Sequence, residues 1–180
     1  MKRVKKVPKL MYEIRPSKAL VGEVGIFAVR NINKGEIIGD IDSPEEVVLL
    51  SLSDFKKLDK ITQNKIKSFC VLDDEEYVLP VDMNNMGSSW YFNHSCSPNV
   101  SYDKKGNFVA DRNIKKDEEL FIDYGWVLTD PRDSKMKCAC GSAQCRHVIS
   151  GRDWRNSEFK KNNINKMWPE MRKETKMNKK

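Results

Sequence analysis

The most distinctive chemical feature of the sequence is a run of three cysteines within eight residues, Cys138, Cys140 and Cys145. The chain holds five cysteines in all, and an odd number with this clustering argues against the disulfide framework of a secreted protein. Clustered thiolates in a reducing compartment favour a structural zinc ion, which takes four tetrahedral ligands. His147 lies two residues beyond Cys145 and is a candidate for the fourth ligand. Cys70 is predicted to be a small core residue.

Two other segments carry the amide, imidazole, carboxylate and phenol side chains that binding and catalytic sites use. The first reads Asn-His-Ser-Cys-Ser-Pro-Asn from Asn93 to Asn99, and the second reads Glu-Glu-Leu-Phe-Ile-Asp-Tyr-Gly from Glu118 to Gly125. An asparagine amide both donates and accepts hydrogen bonds, so it can fix a polar cofactor, and a tyrosine hydroxyl can place an oxygen beside a reacting atom. Each segment is therefore a candidate for a binding or catalytic site.

Residue patterns place the two segments among short strands and turns. Strands are predicted at Val24–Val29, Glu36–Ile41, Tyr77–Leu79, Asn107–Asp111 and Glu119–Tyr124. Apolar residues at helical spacing predict a helix from Ser51 to Phe69, with Ser51 or Ser53 as its N-cap. A polar segment from Arg152 to about Met171 is predicted to be helical. The pattern indicates a β-rich α+β fold with one inserted helix and a small metal-binding module near its end.

The positive charge of the chain is concentrated at its two ends. The 180 residues carry a formal net charge of +7, with five basic residues from Lys2 to Lys9 and five from Arg172 to Lys180. Such tails favour acidic surfaces such as nucleic acid or its packaging, although a solvated tail is the simpler interpretation. No apolar stretch reaches the length of a membrane span, and no signal-peptide core follows the basic start. We expect an intracellular protein with no membrane partner.

The motifs together resemble those of one known family. In order, they are similar to the Asn-His-Ser-Cys, Glu-Leu-x-x-Asp-Tyr and post-SET Cys-x-Cys-x4-Cys motifs of SET-domain protein lysine methyltransferases. Upstream, Gly-Ile-Phe-Ala from Gly25 and Lys-Gly-Glu from Lys34 resemble the opening strands of that family. The resemblance covers roughly residues 20 to 150, and four motifs in the correct order argue against coincidence.

The resemblance implies a SET-domain fold of small sheets with a pseudoknot and an inserted helix. In that pseudoknot the Asn93 segment is threaded beneath a neighbouring loop, an exception to the usual rule, and so meets Tyr124. It also implies a division of the chain into a basic leader (1–18), a SET domain (19–127), a post-SET zinc-binding segment (128–151) and a polar extension (152–180).

The family's reaction transfers a methyl group from S-adenosylmethionine to a lysine amine. Because free lysine has a pKa of about 10.4, the site must help the amine lose its proton and must hold its lone pair in line. The resemblance implies that Tyr124 is the catalytic tyrosine and that Tyr102 acts beside it. It implies a cofactor site made of Val24, Gly25, Ile26, Tyr91, Asn93, His94 and Tyr124. It implies a zinc site made of Cys96, Cys138, Cys140 and Cys145, whereas spacing alone leaves His147 as a rival to Cys96.

The number of methyl groups transferred stays open at this point. A hydroxyl from Tyr102 would restrict the lysine channel by holding a water molecule where a further methyl group must go. Ile122, two residues before the catalytic tyrosine, removes the other hydroxyl that could do so.

The implied substrate is a protein with a basic, lysine-containing segment, histone-like or ribosomal. The chain would then lie in the cytoplasm, or in the nucleus on chromatin, with weak nucleic-acid contacts through its basic tails. One alternative is a catalytically silent SET module that serves as a binding protein, because Glu23 replaces a family glycine and Trp90 replaces an arginine. Another is a basic zinc protein that binds nucleic acid, although the cysteine cluster lacks the paired pattern of zinc fingers.

Overall fold

The computed structural model describes residues 9–20, 22–39, 47–73, 75–127, 135–169 and 171–173. Most of both basic tails, the end of the strand predicted at Glu36–Ile41, and the beginning of the predicted post-SET segment lie outside these residues. In the described part of the chain, no helix is both long enough and apolar enough to cross a bilayer.

Short strands dominate the described residues. In chain order they are β1 (Tyr12–Pro16), β2 (Val24–Ala28), β3 (Ile37–Gly39), β4 (Val47–Ser51), β5 (Val71–Asp73), β6 (Glu76–Pro80), β7 (Asn93–His94), β8 (Val100–Tyr102), β9 (Phe108–Ala110), β10 (Glu119–Ile122), β11 (Lys135–Lys137) and β12 (Val148–Ser150). The α-helices are α1 (Leu52–Phe55), α2 (Lys60–Phe69) and α3 (Ser157–Asn163), and single 3₁₀ turns span Ser88–Tyr91, Tyr124–Trp126 and Asp153–Arg155.

The main sheet has the strand order β1-β2-β10-β7 and positions the functional segments. Four of the five residues of β2 are buried, as expected for a strand covered on both faces. β10 runs antiparallel to β2 and parallel to the two-residue strand β7, where Phe121 lies opposite Asn93. The sheet therefore places Asn93 beside β10, the strand that leads to Tyr124.

A second sheet has three strands in the order β3-β9-β8, and it packs with the main sheet around one apolar core. The side chains of Ile26, Val100 and Leu120 in this core are fully buried. Burial of this apolar surface is the main driving force for folding the domain.

The inserted region forms a third sheet, β4-β6-β5, which packs against two helices instead of the single helix predicted. Ser51 caps α1 by accepting a hydrogen bond from the Asp54 N–H, which confirms it as an N-cap. Asp59 then caps α2 by accepting from the Thr62 N–H. Asp59 therefore starts a second helix, and the apolar residues of the single predicted helix are divided between α1 and α2.

The C-terminal residues wrap around Trp126. β11 and β12 form a hairpin. The helix predicted from Arg152 to about Met171 is formed only in part: Asp153–Arg155 is a 3₁₀ turn, and α3, which Asn156 caps, ends at Asn163 and is followed by turns. Trp126, Trp154, Met167 and Met171 form a buried cluster of their own. This cluster attaches the C-terminal segment to the turn that carries Tyr124.

Asn99 ties the segment that follows β7 to β10. Its side chain is 1% exposed, its Nδ2 donates to the Glu119 carbonyl at 2.8 Å, and its Oδ1 accepts from the Phe121 N–H at 2.8 Å. The amide side chain thus provides the ladder hydrogen bonds that a continued strand would have made.

Replacing Asn99 tests this link. Asn99→Ala leaves a buried carbonyl and a buried N–H without partners, and we expect a loss of about 2 to 4 kcal/mol in the free energy of unfolding, measured by urea denaturation. Asn64→Ala, at an exposed position on α2, is the matched control and should change stability by less than about 0.5 kcal/mol. Equal effects of the two substitutions would contradict the role given to Asn99.

Candidate functional site

The buried carboxylate of Glu119 makes hydrogen bonds that hold other chain segments around β2, the strand that contains Gly25. Glu119, the first residue of β10, is 5% exposed and accepts hydrogen bonds from Ser17 Oγ at 2.8 Å and from the Lys18 N–H at 3.0 Å. The Asn93 amide donates to Glu119 Oε1 at 3.0 Å and to the Val24 carbonyl at 2.9 Å. These bonds orient Asn93 from both sides and place three chain segments around β2.

Gly25 is required by this close approach rather than by its backbone conformation. A Cβ atom at position 25 would collide with the Glu119 carboxylate and lie 2.9 Å from Asn93 Nδ2. The structure therefore brings together Val24, Gly25 and Asn93, three of the predicted cofactor-binding residues. Ile26, a fourth, is fully buried in the core, so its side chain supports the sheet.

Tyr124 lies where β10 turns into a 3₁₀ helix. Its hydroxyl donates to the Phe92 carbonyl at 2.9 Å, and its backbone N–H donates to His94 Nδ1 at 3.1 Å. Burial raises the pKa of Tyr124 to about 12, and the negative charge of Glu23 adds to this effect. The phenol is therefore neutral at physiological pH, and because its proton is committed to Phe92, its oxygen lone pairs remain available as acceptors.

Tyr102 is part of the apolar core against which Tyr124 packs. Its side chain is buried against Phe108 and Trp168, with ring centroids 5.0 and 5.4 Å away. Burial raises the pKa of Tyr102, and interaction with Tyr124 contributes to the increase. The two phenols predicted to act together thus border the same core. Tyr91, also predicted to bind cofactor, packs edge-to-face on Phe69 with centroids 5.5 Å apart.

The four predicted zinc-binding cysteines converge although Cys96 is far from the others in sequence. The Cys138 sulfur lies 3.9 Å from that of Cys96 and 3.7 Å from that of Cys145. Sulfur atoms bound to a tetrahedral zinc ion at about 2.3 Å lie about 3.8 Å apart, so these spacings fit a metal site. Among the described residues, the group of potential ligands that lie within 4.8 Å of one another comprises His94, Cys96, Cys138 and Cys140. It contains three of the four predicted cysteines; the Cys145 sulfur contacts that of Cys138 but lies outside the group.

Both histidines contact this cluster, in different ways. His94 Nε2 lies 3.3 Å from the Cys96 sulfur, while its Nδ1 accepts from Tyr124. The exposed His147 contributes its backbone N–H, which donates to the Cys145 sulfur at 3.4 Å. Sequence spacing pointed to His147 as the nearby imidazole, whereas the fold brings the imidazole of His94 to the thiols.

Backbone N–H groups also prepare the cluster for a metal. The Arg146 N–H donates to the Cys96 sulfur at 3.3 Å, and the Cys96 N–H donates to the Cys140 sulfur at 3.5 Å. Burial acts to raise the pKa of Cys140, but hydrogen bonds from Ser142 and Cys96 outweigh it and lower the pKa to about 5. A thiolate is the metal-binding form of cysteine, and without a metal only Cys140 is favoured in that form, because burial raises the pKa of Cys96 and of Cys138.

The known proteins that this chain resembles agree with the geometry. The family described as SET domain matches residues 23–125, more than half of the chain. The chain belongs to the SET-domain family. This membership confirms the expected family and its fold of small sheets with few helices.

Relatives of this SET domain carry names that describe methyl transfer to lysine. A histone-lysine N-methyltransferase of Emericella nidulans, H3 lysine-4 specific, is 28% identical over 155 residues, which are 82% of this chain and 12% of that protein. The histone-lysine N-methyltransferase ash1 of Drosophila melanogaster is 38% identical over 85 residues, 43% of this chain and 4% of that protein. A potential protein lysine methyltransferase of Saccharomyces cerevisiae is 54% identical over 44 residues, 23% of this chain and 12% of that protein. The chain thus spans only a small part of the length of these relatives.

Three charged residues of this SET domain were missed by the sequence interpretation, namely Glu119, Asp123 and Arg146. Asp123 is 2% exposed and lies between His94 and the guanidinium of Arg146. A signal was present, because Glu119 and Asp123 flank an apolar strand, and a buried carboxylate requires partners. The sequence did not say which partners these would be.

Gly25→Ala tests the crowding around β2. The added methyl group would displace Glu119 and Asn93, and we expect a loss of about 1 to 3 kcal/mol in the free energy of unfolding, measured by urea denaturation. Gly39→Ala is the matched control, because a Cβ there would meet nothing nearer than Tyr12 Cε1 at 3.9 Å. A tolerated Gly25→Ala would show that the packing of Glu119 against β2 is not needed.

Proposed function

We propose that this SET domain is a protein-lysine N-methyltransferase that uses S-adenosylmethionine. Its family and the names of its relatives support this activity. The observation that carries the proposal is the Tyr124 hydroxyl, which is held by the Phe92 carbonyl next to the strand bearing Asn93. A neutral phenol with free lone pairs is the group that a reacting amine needs beside it.

The cofactor site is formed by the crowded surface at Gly25. Asn93 and Val24 are joined by a hydrogen bond there, and the missing Cβ of Gly25 lets the side chains of Glu119 and Asn93 approach the backbone of β2 closely. We assign Tyr91 and the backbone of His94 to the same site, and Ile26 supports that site from the core. The bound cofactor would supply a methyl group on a positively charged sulfur.

Tyr124 orients the lysine amine. Its oxygen can accept a hydrogen bond from an amine N–H, which aims the nitrogen lone pair away from the phenol and along the line of attack. With a pKa of about 12, Tyr124 does not remove the lysine proton at neutral pH. Tyr102 narrows the same channel, and the absence of a hydroxyl at Ile122 leaves Tyr102 to limit the number of methyl groups.

Zinc is the metal that the thiol cluster fits best, with Cys96, Cys138, Cys140 and Cys145 as ligands. Sulfur-to-sulfur distances of 3.7 and 3.9 Å match a tetrahedral site. Since Cys96 follows β7, the metal would fix the post-SET segment (128–151) onto the SET domain (19–127). The metal would thus stabilise the site without taking part in the chemistry.

The substrate class follows from the relatives. Two of them are named for histone H3 lysine or histone lysine, so we assign this chain a protein substrate with a basic, lysine-containing segment, and a nuclear site of action. The basic tails, most of which lie outside the described residues, would add weak contacts with nucleic acid or chromatin.

Tyr124→Phe tests the enzyme assignment. We expect methyl transfer to fall by about 100-fold or more, because the variant lacks the oxygen that orients the amine. Transfer of labelled methyl groups from S-adenosylmethionine to histones, ribosomal proteins and cell extract measures it. Tyr77→Phe, in the separate core of the inserted region, is the control and should retain full activity. Cofactor binding without any transfer by the wild-type chain would instead support a silent binding module.

Cys138→Ser tests the metal assignment. Cys138 contacts the sulfurs of both Cys96 and Cys145, so its loss should weaken zinc binding by more than about 100-fold. Zinc content by plasma mass spectrometry, with the melting temperature before and after chelation, measures this. Cys70→Ser is the control, since that thiol contacts Met83 and should leave the zinc content unchanged. Full zinc occupancy in Cys138→Ser would refute the assignment.

A further inference from the structure

Arg146 joins the thiol cluster to the segment that carries Tyr124. Its backbone N–H donates to the Cys96 sulfur at 3.3 Å. Its guanidinium holds both oxygens of Asp123, with Nη1 to Oδ2 at 2.7 Å and Nη2 to Oδ1 at 2.6 Å. Arg146 therefore makes a backbone hydrogen bond to Cys96 of the thiol cluster. Its side chain makes a bidentate ion pair with Asp123, the residue before Tyr124.

Asp123 in turn determines the conformation at Tyr124. Its Oδ1 accepts from the Gly125 N–H at 2.9 Å, and its carbonyl accepts from the Trp126 N–H at 2.9 Å, so it caps the 3₁₀ helix that begins at Tyr124. Its side chain is 3% exposed, where an ionised carboxylate is stable only with a partner of opposite charge. The rotamer of Asp123, and with it the turn, depends on Arg146.

The C-terminal segment holds the guanidinium from its other side. The Phe159 ring of α3 lies 4.8 Å from the Arg146 guanidinium carbon, and Asp153 Oδ2 lies 3.3 Å from Arg146 Nε. Phe159 also packs on the turn itself, because a Cβ at Gly125 would lie 2.9 Å from its Cζ. Arg146 therefore lies between the thiol cluster, α3 and the turn that carries Tyr124.

We propose that Arg146 is a positioning residue that acts through Asp123 to hold Tyr124 in its working geometry. Ordering of the cysteine cluster and docking of the C-terminal segment both reach Tyr124 by this route. The proposal rests on the proposed methyltransferase function for its kinetic consequence, but its structural claim concerns the chain alone. It also requires arginine, because only the planar guanidinium fork binds both carboxylate oxygens at once.

Amide hydrogen exchange tests the structural claim without any need for activity. In Arg146→Met, the amides of Tyr124 and Gly125 should exchange at least about 10-fold faster than in the wild-type chain, whereas the Ile26 and Val78 amides should keep their rates. Arg146→Lys, which retains the charge but not the fork, should give an intermediate result, and it carries the same test if Arg146→Met fails to fold. Uniform acceleration of all four amides, or none at Gly125, would overturn the proposal.

Kinetics and metal content on the full, zinc-loaded chain test the consequence. We expect kcat to fall by about 100-fold in Arg146→Met, because small displacements of a catalytic group have effects of this size, while KM for the cofactor stays within about 3-fold. Zinc content should be unchanged, since the backbone N–H to Cys96 is retained. Loss of zinc together with activity would overturn the proposal in favour of a metal-retaining role. Arg155→Lys, an exposed arginine of the same C-terminal segment, is the control and should match the wild type.

A double-mutant cycle tests whether Arg146 acts through Asp123. Asp123→Asn keeps an acceptor for the Gly125 N–H but loses the ion pair. If the two side chains form one unit, Arg146→Lys combined with Asp123→Asn loses little more kcat than the more damaging single variant. A combined loss equal to the product of the two single losses would overturn the proposal. If the wild-type chain transfers no methyl group, the proposed function fails, and the amide exchange alone decides the role of Arg146.

Discussion

Two buried carboxylates at the ends of one short strand set the layout of the site. Glu119 begins β10 and Asp123 follows it, and their residues are 5% and 2% exposed. An ionised carboxylate in such surroundings must be satisfied by donors or a cation. Glu119 is satisfied by Asn93 and by the residues after β1, and Asp123 by Arg146 and Gly125. Segments that are distant in sequence are thereby drawn to the two ends of β10, where the proposed cofactor surface and the proposed catalytic tyrosine lie.

Much of this arrangement could be predicted from local sequence. The strands around Val24 and Glu119 carry enough β-branched and aromatic residues to be recognised, and both are present as β2 and β10. Ser51 was recognisable as an N-cap because its side chain acts within its own turn. The spacing of Cys138, Cys140 and Cys145 indicated a metal site, and their sulfurs cluster in the structure. Each of these predictions depends on residues that lie close together in the chain.

Contacts across long separations could not be predicted in the same way. β7 has two residues and β11 and β12 three each, too short to show a period, so they exist because neighbouring strands and side chains hold them. Arg146 and Asp123 are 23 positions apart, and no local pattern pairs them. The imidazole nearest the thiols in sequence is that of His147, yet the fold brings His94 to Cys96. The resemblance to a family supplied Cys96 as a partner of the other cysteines, which spacing alone left open.

The departure from the family at residue 23 is compatible with the backbone geometry there. Gly22, one position earlier, has a φ of +87°, so the conformation that favours glycine has moved to a residue that is still glycine. Glu23 has no positive φ, is exposed, and lies near enough to Tyr124 for its charge to raise the pKa of that phenol. A carboxylate at this position would favour a positively charged cofactor and an incoming lysine, since both are cations at neutral pH. The substitution that suggested a silent module is therefore compatible with, and electrostatically suited to, methyl transfer.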